Sequence, residues 1–444
     1  MAFDLHTDWE VRSNGTANGG GGFIVGAAGT DYSQQDAPEV VFTDAVIDAA
    51  DATKATSILT PFTALHEGNT VYWGSGVGYT VQRAQILDVT AGVATFDKAL
   101  GTLGSTGGNG NLGGAMTLIN ENIEIGEAGH HFYIKQDGTH TLVSDIVTLN
   151  DATAINPMKF IGYKDTRGDA YANGAVVVAN LPVISGGAYG IIATASQYLI
   201  FQFLDMTGAG LYTIRLDRWT RLHGCKITNT SGTAAQYAVW SGNRDNIIHD
   251  CKISCALGFG TRHSTSDRMS GCYITDCNIG IETGSTNSIL NTIIANCTTY
   301  GIDIGSDDSI NIANCTFYNH KWAIITGGAA SLTCVFENLI IDMCSQEAMG
   351  ISPGDCNFYN HINWTNCAGF ASTGAQLTET YNLTEIDPAF VDAPNGDFTP
   401  TGLLDGAAPN SWMGSATDNN ASIGAVQLAG GGGAAPTIMH GCVG

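Results

Sequence analysis

The sequence predicts an all-β fold built as a solenoid, and three observations point there. First, a short phrase recurs seven times between Gly224 and His361: a bend-tolerant residue, a small or apolar pair, then a β-rich run. It opens at Gly224-Cys225, Asp250-Cys251, Gly271-Cys272, Asn291-Thr292, Asn314-Cys315, Asn338-Leu339 and Asn360-His361, in steps of 26, 21, 20, 23, 24 and 22 residues. A period of that size marks a repeat that buries its face only against its neighbours. Second, the opening column reads Gly, Asp, Gly, Asn, Asn, Asn, Asn. These residues tolerate a left-handed backbone, so the chain should turn a corner at the same place in every repeat. Third, Ile279-Gly280-Ile281, Ile302-Asp303-Ile304 and Ala323-Ile324-Ile325 resume the period-two pattern of a strand on a core.

The elements follow in order. Residues 1–40 hold Asn14-Gly15 and a Gly19–Gly22 run, a loop-rich leader that reads as an attachment arm. Residues 41–120 carry the short pieces Val71–Trp73, Tyr79–Val81, Ile86–Val89 and Val93–Phe96, with glycine-rich turns ending in Gly107–Gly114. They predict a small β domain. Residues 121–386 are the coils, and residues 387–428 close them. Residues 429–444, with the Gly430–Gly433 run, form a linker and tail.

Within the coils, the second column reads Cys225, Cys251, Cys272, Thr292, Cys315, Leu339, His361. Five residues further on stand Thr230, Ala256, Cys277, Cys297, His320, Cys344 and Asn366. A free cysteine packs as a small hydrophobe. The cysteines therefore read first as stacked thiols, with disulfides and a metal site as alternatives. No Cys-x-x-Cys pair favours zinc.

The asparagine column resembles the asparagine ladder of the right-handed parallel β-helix proteins, the pectate-lyase-like group. A segment with Asp387-Pro388-Ala389-Phe390, Asn395-Gly396-Asp397-Phe398 and Ser422-Ile423-Gly424 resembles the part that closes many bacterial and viral β-helix proteins. The resemblance implies a right-handed parallel β-helix and leaves activity open, because the group includes lyases, hydrolases, adhesins and phage tailspikes. Asp8–Arg12, Gly29–Gln35 and Ala91–Asp97 resemble the leader of structural proteins of environmental tailed phages. His131–Lys135 resembles the entry strand of a tailspike-type β-helix.

The net charge of −24 argues against a nucleic-acid partner. No run of eighteen apolar residues offers a membrane span. The start, Met1–Glu10, lacks the basic and apolar runs of a secretory signal, which suits a protein made in the cytoplasm and assembled into a virion. The charge is uneven: Arg215, Arg218, Arg221, Arg244, Arg262 and Arg268 make the early coils basic, and the later ones are acidic. Two readings stand for that basic zone, a cradle for an anionic polysaccharide and an interface with a neighbouring subunit.

The candidate catalytic pair is Glu282 and Asp303, at nearly equivalent places on consecutive coils. Rungs about 4.8 Å apart would give the carboxylate spacing of a retaining glycosidase. Asp303 with Asp307 and Asp308 would also suit calcium, the one cofactor the sequence admits; none is required. A pectate-lyase mechanism also needs a basic residue beside the carboxylates, and the basic residues fall on earlier coils. No Gly-x-Ser-x-Gly elbow is present. The leading expectation is a phage virion spike, appendage or capsid-surface protein that adheres to host surface polysaccharide. It would form a homo-oligomer, by family habit a trimer, beside other virion proteins. The alternatives are a polysaccharide lyase or hydrolase, including a tailspike depolymerase, and a bacterial surface adhesin or filament subunit, placed outside or on the cell.

Overall fold

A residue column that accepts a left-handed backbone should become a column of corners, and six of its seven members do; Asn360 instead pairs with Glu337, one residue out of step. In the computed structural model Gly224, Asp250, Gly271, Asn291, Asn314 and Asn338 all have φ between 48° and 65°. The structure describes residues 7–117, 126–147, 152–172, 175–192, 197–284, 287–305, 309–327, 333–350, 356–370, 377–381, 390–393 and 397–400. The chain forms two compact units, Met1–Ile227 and Thr228–Gly444. Both are built on the right-handed parallel β-helix, three short strands to a coil. Among the described residues no helix is long and apolar enough to cross a membrane.

In the first unit Val40–Leu112 makes a closed antiparallel barrel around Phe42, Trp73, Ile86 and Phe96. Two expectations fail here. Tyr79–Val81 is not a strand; Tyr79 turns its ring onto Trp73, centroids 5.2 Å apart. The expected turn Gly107–Gly114 instead contains the strand Gly108–Leu112, paired with Val40–Ile47 and Thr70–Ser75. Glycine serves packing at these points: a Cβ on Gly108 would lie 2.3 Å from the Tyr79 ring, and one on Gly110 2.7 Å from Trp73.

The leader does not hang free as an arm. Thr7–Val11 adds a parallel strand to His131–Lys135, which continues through Met158–Tyr163 to Leu199–Gln202. That register stacks Trp9 on Phe132 (6.3 Å), Phe132 on Phe160 (5.1 Å) and Phe160 on Phe201 (4.9 Å) inside the coil. Next to Trp9, the fully buried Glu10 accepts from Arg12 (3.0 Å), Arg167 (2.9 Å) and the Tyr163 hydroxyl.

In the second unit the first two strands of successive coils are Ile247–His249 and Lys252–Cys255, Arg268–Ser270 and Tyr273–Thr275, Asn287–Leu290 and Ile293–Ala295, and Ile310–Ala313 and Thr316–His320. Inside, Ile248, Met269, Ile289, Ile312 and Phe336 form one column, and Ile253, Ile274, Ile294, Phe317 and Ile341 another, none more than 1% exposed. Asn338 donates to Asn314 (2.9 Å) at the first corner. A second ladder, unforeseen, joins Asn319 to Asn296 (2.9 Å) and Asn366 to Asp342 (2.8 Å). Of the closing segment, the described strands Phe390–Asp392 and Asp397–Pro400 pair antiparallel. Phe390 and Ala393 pack on Tyr273, Ile293 and Tyr318, a flank of the coils.

The thiol column is real: Cys277, Cys297, His320 and Cys344 stand at the expected offset, and the expectation fails only toward the two ends. It runs through Cys255, Cys277, Cys297, His320, Cys344 and Cys367; Ala256 and Asn366 turn outward. These cysteines are thiols, not disulfides. Burial pushes the Cys255 and Cys315 thiols up to about 12, while a hydrogen bond from Cys344 pulls Cys367 down. Iodoacetamide should therefore alkylate Cys367 before any other described cysteine of the native protein, as read by peptide mass spectrometry.

His320 replaces a cysteine in this column. Its Nδ1 accepts from the Cys297 N–H (3.3 Å), so Nε2–H donates to the Ile294 carbonyl (3.0 Å). Burial pushes its pKa from 6.5 down to about 4. The folded protein thus holds this proton more weakly than the unfolded chain does. The contribution of neutral His320 is complete above about pH 6.5 and is lost as pH falls towards about 4, a total on the order of 3 kcal/mol. Denaturant midpoints across that range should fall less steeply for His320→Gln.

Candidate functional site

The third strands of the second unit place the sequence-predicted carboxylates. They are Tyr237–Ser241, Phe259–Arg262, Ile279–Thr283, Tyr300–Ile304 and Trp322–Thr326, paired parallel and in register. Val239, Thr261, Ile281, Ile302 and Ile324 point inward and are fully buried. Just before them, Ala238, Gly260, Gly280, Gly301 and Ala323 are also buried, and the glycines leave room for the backbone of the next coil. A Cβ on Gly280 would lie 2.5 Å from the Gly301 carbonyl.

Two further columns remain. One reads Tyr237, Phe259, Ile279, Tyr300, Trp322, in which Tyr237 and Ile279 are buried and the others half-buried, and the other, half-buried throughout, reads Trp240, Arg262, Glu282, Asp303, Ile325. Glu282 and Asp303 are register partners on adjacent rungs, with backbones about 4.8 Å apart. Both are half-buried.

The absence of a basic group beside this pair was expected and is overturned. Arg262 stands in register with Glu282 one coil earlier, its Nε 3.7 Å from Glu282 Oε2. The Tyr237 hydroxyl donates to the same oxygen at 3.3 Å. Arg262 also lies over the rings of Tyr237 (5.9 Å) and Trp240 (5.4 Å). The signal was in the numbering: Arg262 precedes Glu282 by 20 residues, one coil, and Asp303 follows it by 21.

Aromatic rings flank the carboxylates on both sides. Tyr237 stacks on Phe259 at 4.7 Å and tilts against Trp240 at 5.5 Å. Beyond Asp303, Tyr300 and Trp322 stand 5.7 Å apart. The Trp322 indole donates to Glu347 (3.2 Å), and Lys321 lies over its ring (4.5 Å). The sequence reading of the carboxylates did not include this aromatic column. It recurs at the coil period but is interrupted by Ile279.

The other arginines do not converge. In the second unit Arg244 sits in a turn beside Asp245 (3.7 Å), and Arg268 is exposed on a first strand. In the first unit Arg215 lies on a third strand over Tyr212 (5.9 Å), Arg218 in the following turn, and Arg221 on the next first strand. The expected calcium set depends on Asp307 and Asp308, which lie outside the described residues.

One family model agrees with this architecture. The family described as "Right handed beta helix region" matches residues 169–333. Among solved structures, the chain is similar to the pectate lyase Pel9A, with 11% identity over 70% of this chain and 91% of that one, TM-score 0.48. It is similar to an alginate lyase from Paenibacillus, with 13% identity over 60% and 96%, TM-score 0.38. It is also similar to the catalytic domain of a GH87 α-1,3-glucanase, with 11% identity over 85% and 94%, TM-score 0.31. No curated protein matches it.

Proposed function

We propose that the third-strand face of the second unit binds a polysaccharide and hydrolyses its glycosidic bonds, with Glu282 and Asp303 as the working carboxylates. The observation that carries this reading is the Arg262–Glu282–Asp303 column, in register on three consecutive coils and flanked by aromatic rings. Sugar rings present apolar faces that stack on such side chains. A chain resting on them would cross the carboxylate pair. Glu282, which has the cationic partner, takes the anionic, nucleophilic role. Asp303, whose neighbour on the following coil is the apolar Ile325, delivers the proton to the leaving oxygen.

The polysaccharide is neutral. Arg262 is already engaged by Glu282, and the remaining arginines do not gather into a cradle for repeated carboxylates. The same face on a virion protein would make it a depolymerase; the virion setting rests on the leader and closing-segment resemblances, and the trimer on the habit of the β-helix group.

Incubation with a panel of neutral and acidic polysaccharides tests the proposal. New reducing ends without unsaturated products are expected on a neutral member. Unsaturated products would replace hydrolysis with β-elimination, and cleavage of no member would leave a binding or structural protein.

A further inference from the structure

The first-strand face of the second unit carries a second constellation that the proposed polysaccharide site does not use. His249 and Ser270 are register partners on adjacent coils and both face outward. His249 Nδ1 lies 2.9 Å from the Ser270 hydroxyl, and its Nε2 lies 3.1 Å from Asp250 Oδ2. All three are half-buried. A nucleophile in contact with a base that is oriented by a third group is the arrangement of covalent hydrolytic catalysis, recognised by geometry and not by sequence order. This explains why the missing Gly-x-Ser-x-Gly elbow does not exclude it.

The corner column explains how Asp250 comes to face its neighbour's ring. At later corners asparagine stacks on asparagine, as Asn338 does on Asn314. Above Asp250 the column instead holds Gly271, where a Cβ would lie 2.3 Å from Asp250 Oδ1. Asp250 itself has φ 51°. The ladder is thus interrupted where the carboxylate occupies the room that a side chain at position 271 would need. The carboxylate raises the His249 pKa, chiefly through its hydrogen bond, as expected of a partner that stabilises an imidazolium.

We infer that Ser270, His249 and Asp250 form a serine-hydrolase site for small acyl esters. Asp250 accepts from Nε2–H and leaves Nδ1 as the basic nitrogen facing Ser270. The hydroxyl oxygen attacks the acyl carbon while its proton passes to Nδ1. The ester C–O bond breaks, and the departing alcohol takes that proton. Water then adds to the acyl-serine, giving a proton to Nδ1. The acyl–Oγ bond breaks, Oγ recovers the proton, and the carboxylic acid leaves. Arg268, two residues before Ser270 on the same outward side, is about 7 Å away along the strand and is the group within reach of the developing oxyanion. Ser270 and His249 are catalytic; Asp250 is a positioning residue.

The test treats the whole protein with a fluorophosphonate probe and, separately, with p-nitrophenyl acetate. Expected results are a probe adduct on the Ser270 peptide and ester hydrolysis that falls at least about 10³-fold in Ser270→Ala and in His249→Ala. Far-UV circular dichroism should be unchanged in both variants. Asp250→Asn should lower kcat and leave KM in place, a split that a purely structural role would not produce. No adduct on the wild type, an adduct elsewhere, or undiminished hydrolysis in Ser270→Ala overturns the inference. Hydrolysis that EDTA abolishes and Ser270→Ala leaves alone overturns it as well. Polysaccharide cleavage by Ser270→Ala is expected to be unaffected, so the two sites succeed or fail separately.

Discussion

Glu282→Gln and Asp303→Asn are each expected to reduce polysaccharide cleavage by about 10²–10⁴-fold, the range for losing a positioned acid, base or nucleophile, with substrate binding retained. Both changes preserve side-chain shape on an outward face whose inward neighbours Ile281 and Ile302 are fully buried, so the coils should be undisturbed. Arg262→Ala is expected to act through Glu282: it removes the cation 3.7 Å from Oε2 and the cover over Tyr237 and Trp240. Initial rates and affinity electrophoresis on the substrate found in the panel separate the two effects. Lost binding in Glu282→Gln would mean that the residue holds the chain instead of attacking it.

Trp9→Ala is expected to destabilise the first unit by about 3–5 kcal/mol, as full truncation of a buried aromatic does. Trp9 is fully buried, ends the stack through Phe132, Phe160 and Phe201, and donates from its indole to His130 (3.1 Å). Its loss loosens the last parallel rung, which the antiparallel strand Gly22–Ile24 covers, and sheet edges exposed in this way pair with other chains. Urea unfolding should show a lower midpoint, with light scattering rising earlier than in the wild type. An unchanged midpoint would mean that the leader only rests on the coils.

The corner column, the inward isoleucines and the register of Glu282 with Asp303 were legible because each depends on local backbone preference repeated at one period. Arg262 was legible in principle, since it stands one coil before Glu282, yet counting charge by region hid it; only register shows which side chains touch. Other features lay beyond local pattern. Thr7–Val11 pairs with a strand more than a hundred residues away, and nothing near Trp9 announces Phe132. Gly108–Leu112 reads as a turn until Tyr79 and Trp73 are seen to fill the space its glycines leave. The offset of the thiol column failed at the first coil because no left-handed residue precedes Cys255 as Asp276 precedes Cys277, and at the last because Leu339 pairs with Ile362, which puts the repeat one residue later than the phrase at Asn360 suggests.

The claim that Glu282 is a glycosidic nucleophile paired with Asp303 is tested most directly by trapping the covalent intermediate. An activated 2-deoxy-2-fluoro glycoside of the sugar released in the panel assay should leave one glycosyl group on the protein. Peptide mass spectrometry should find it on Glu282. Complete turnover block with the label on any other residue, or cleavage of the natural polysaccharide with no adduct formed, would contradict the account.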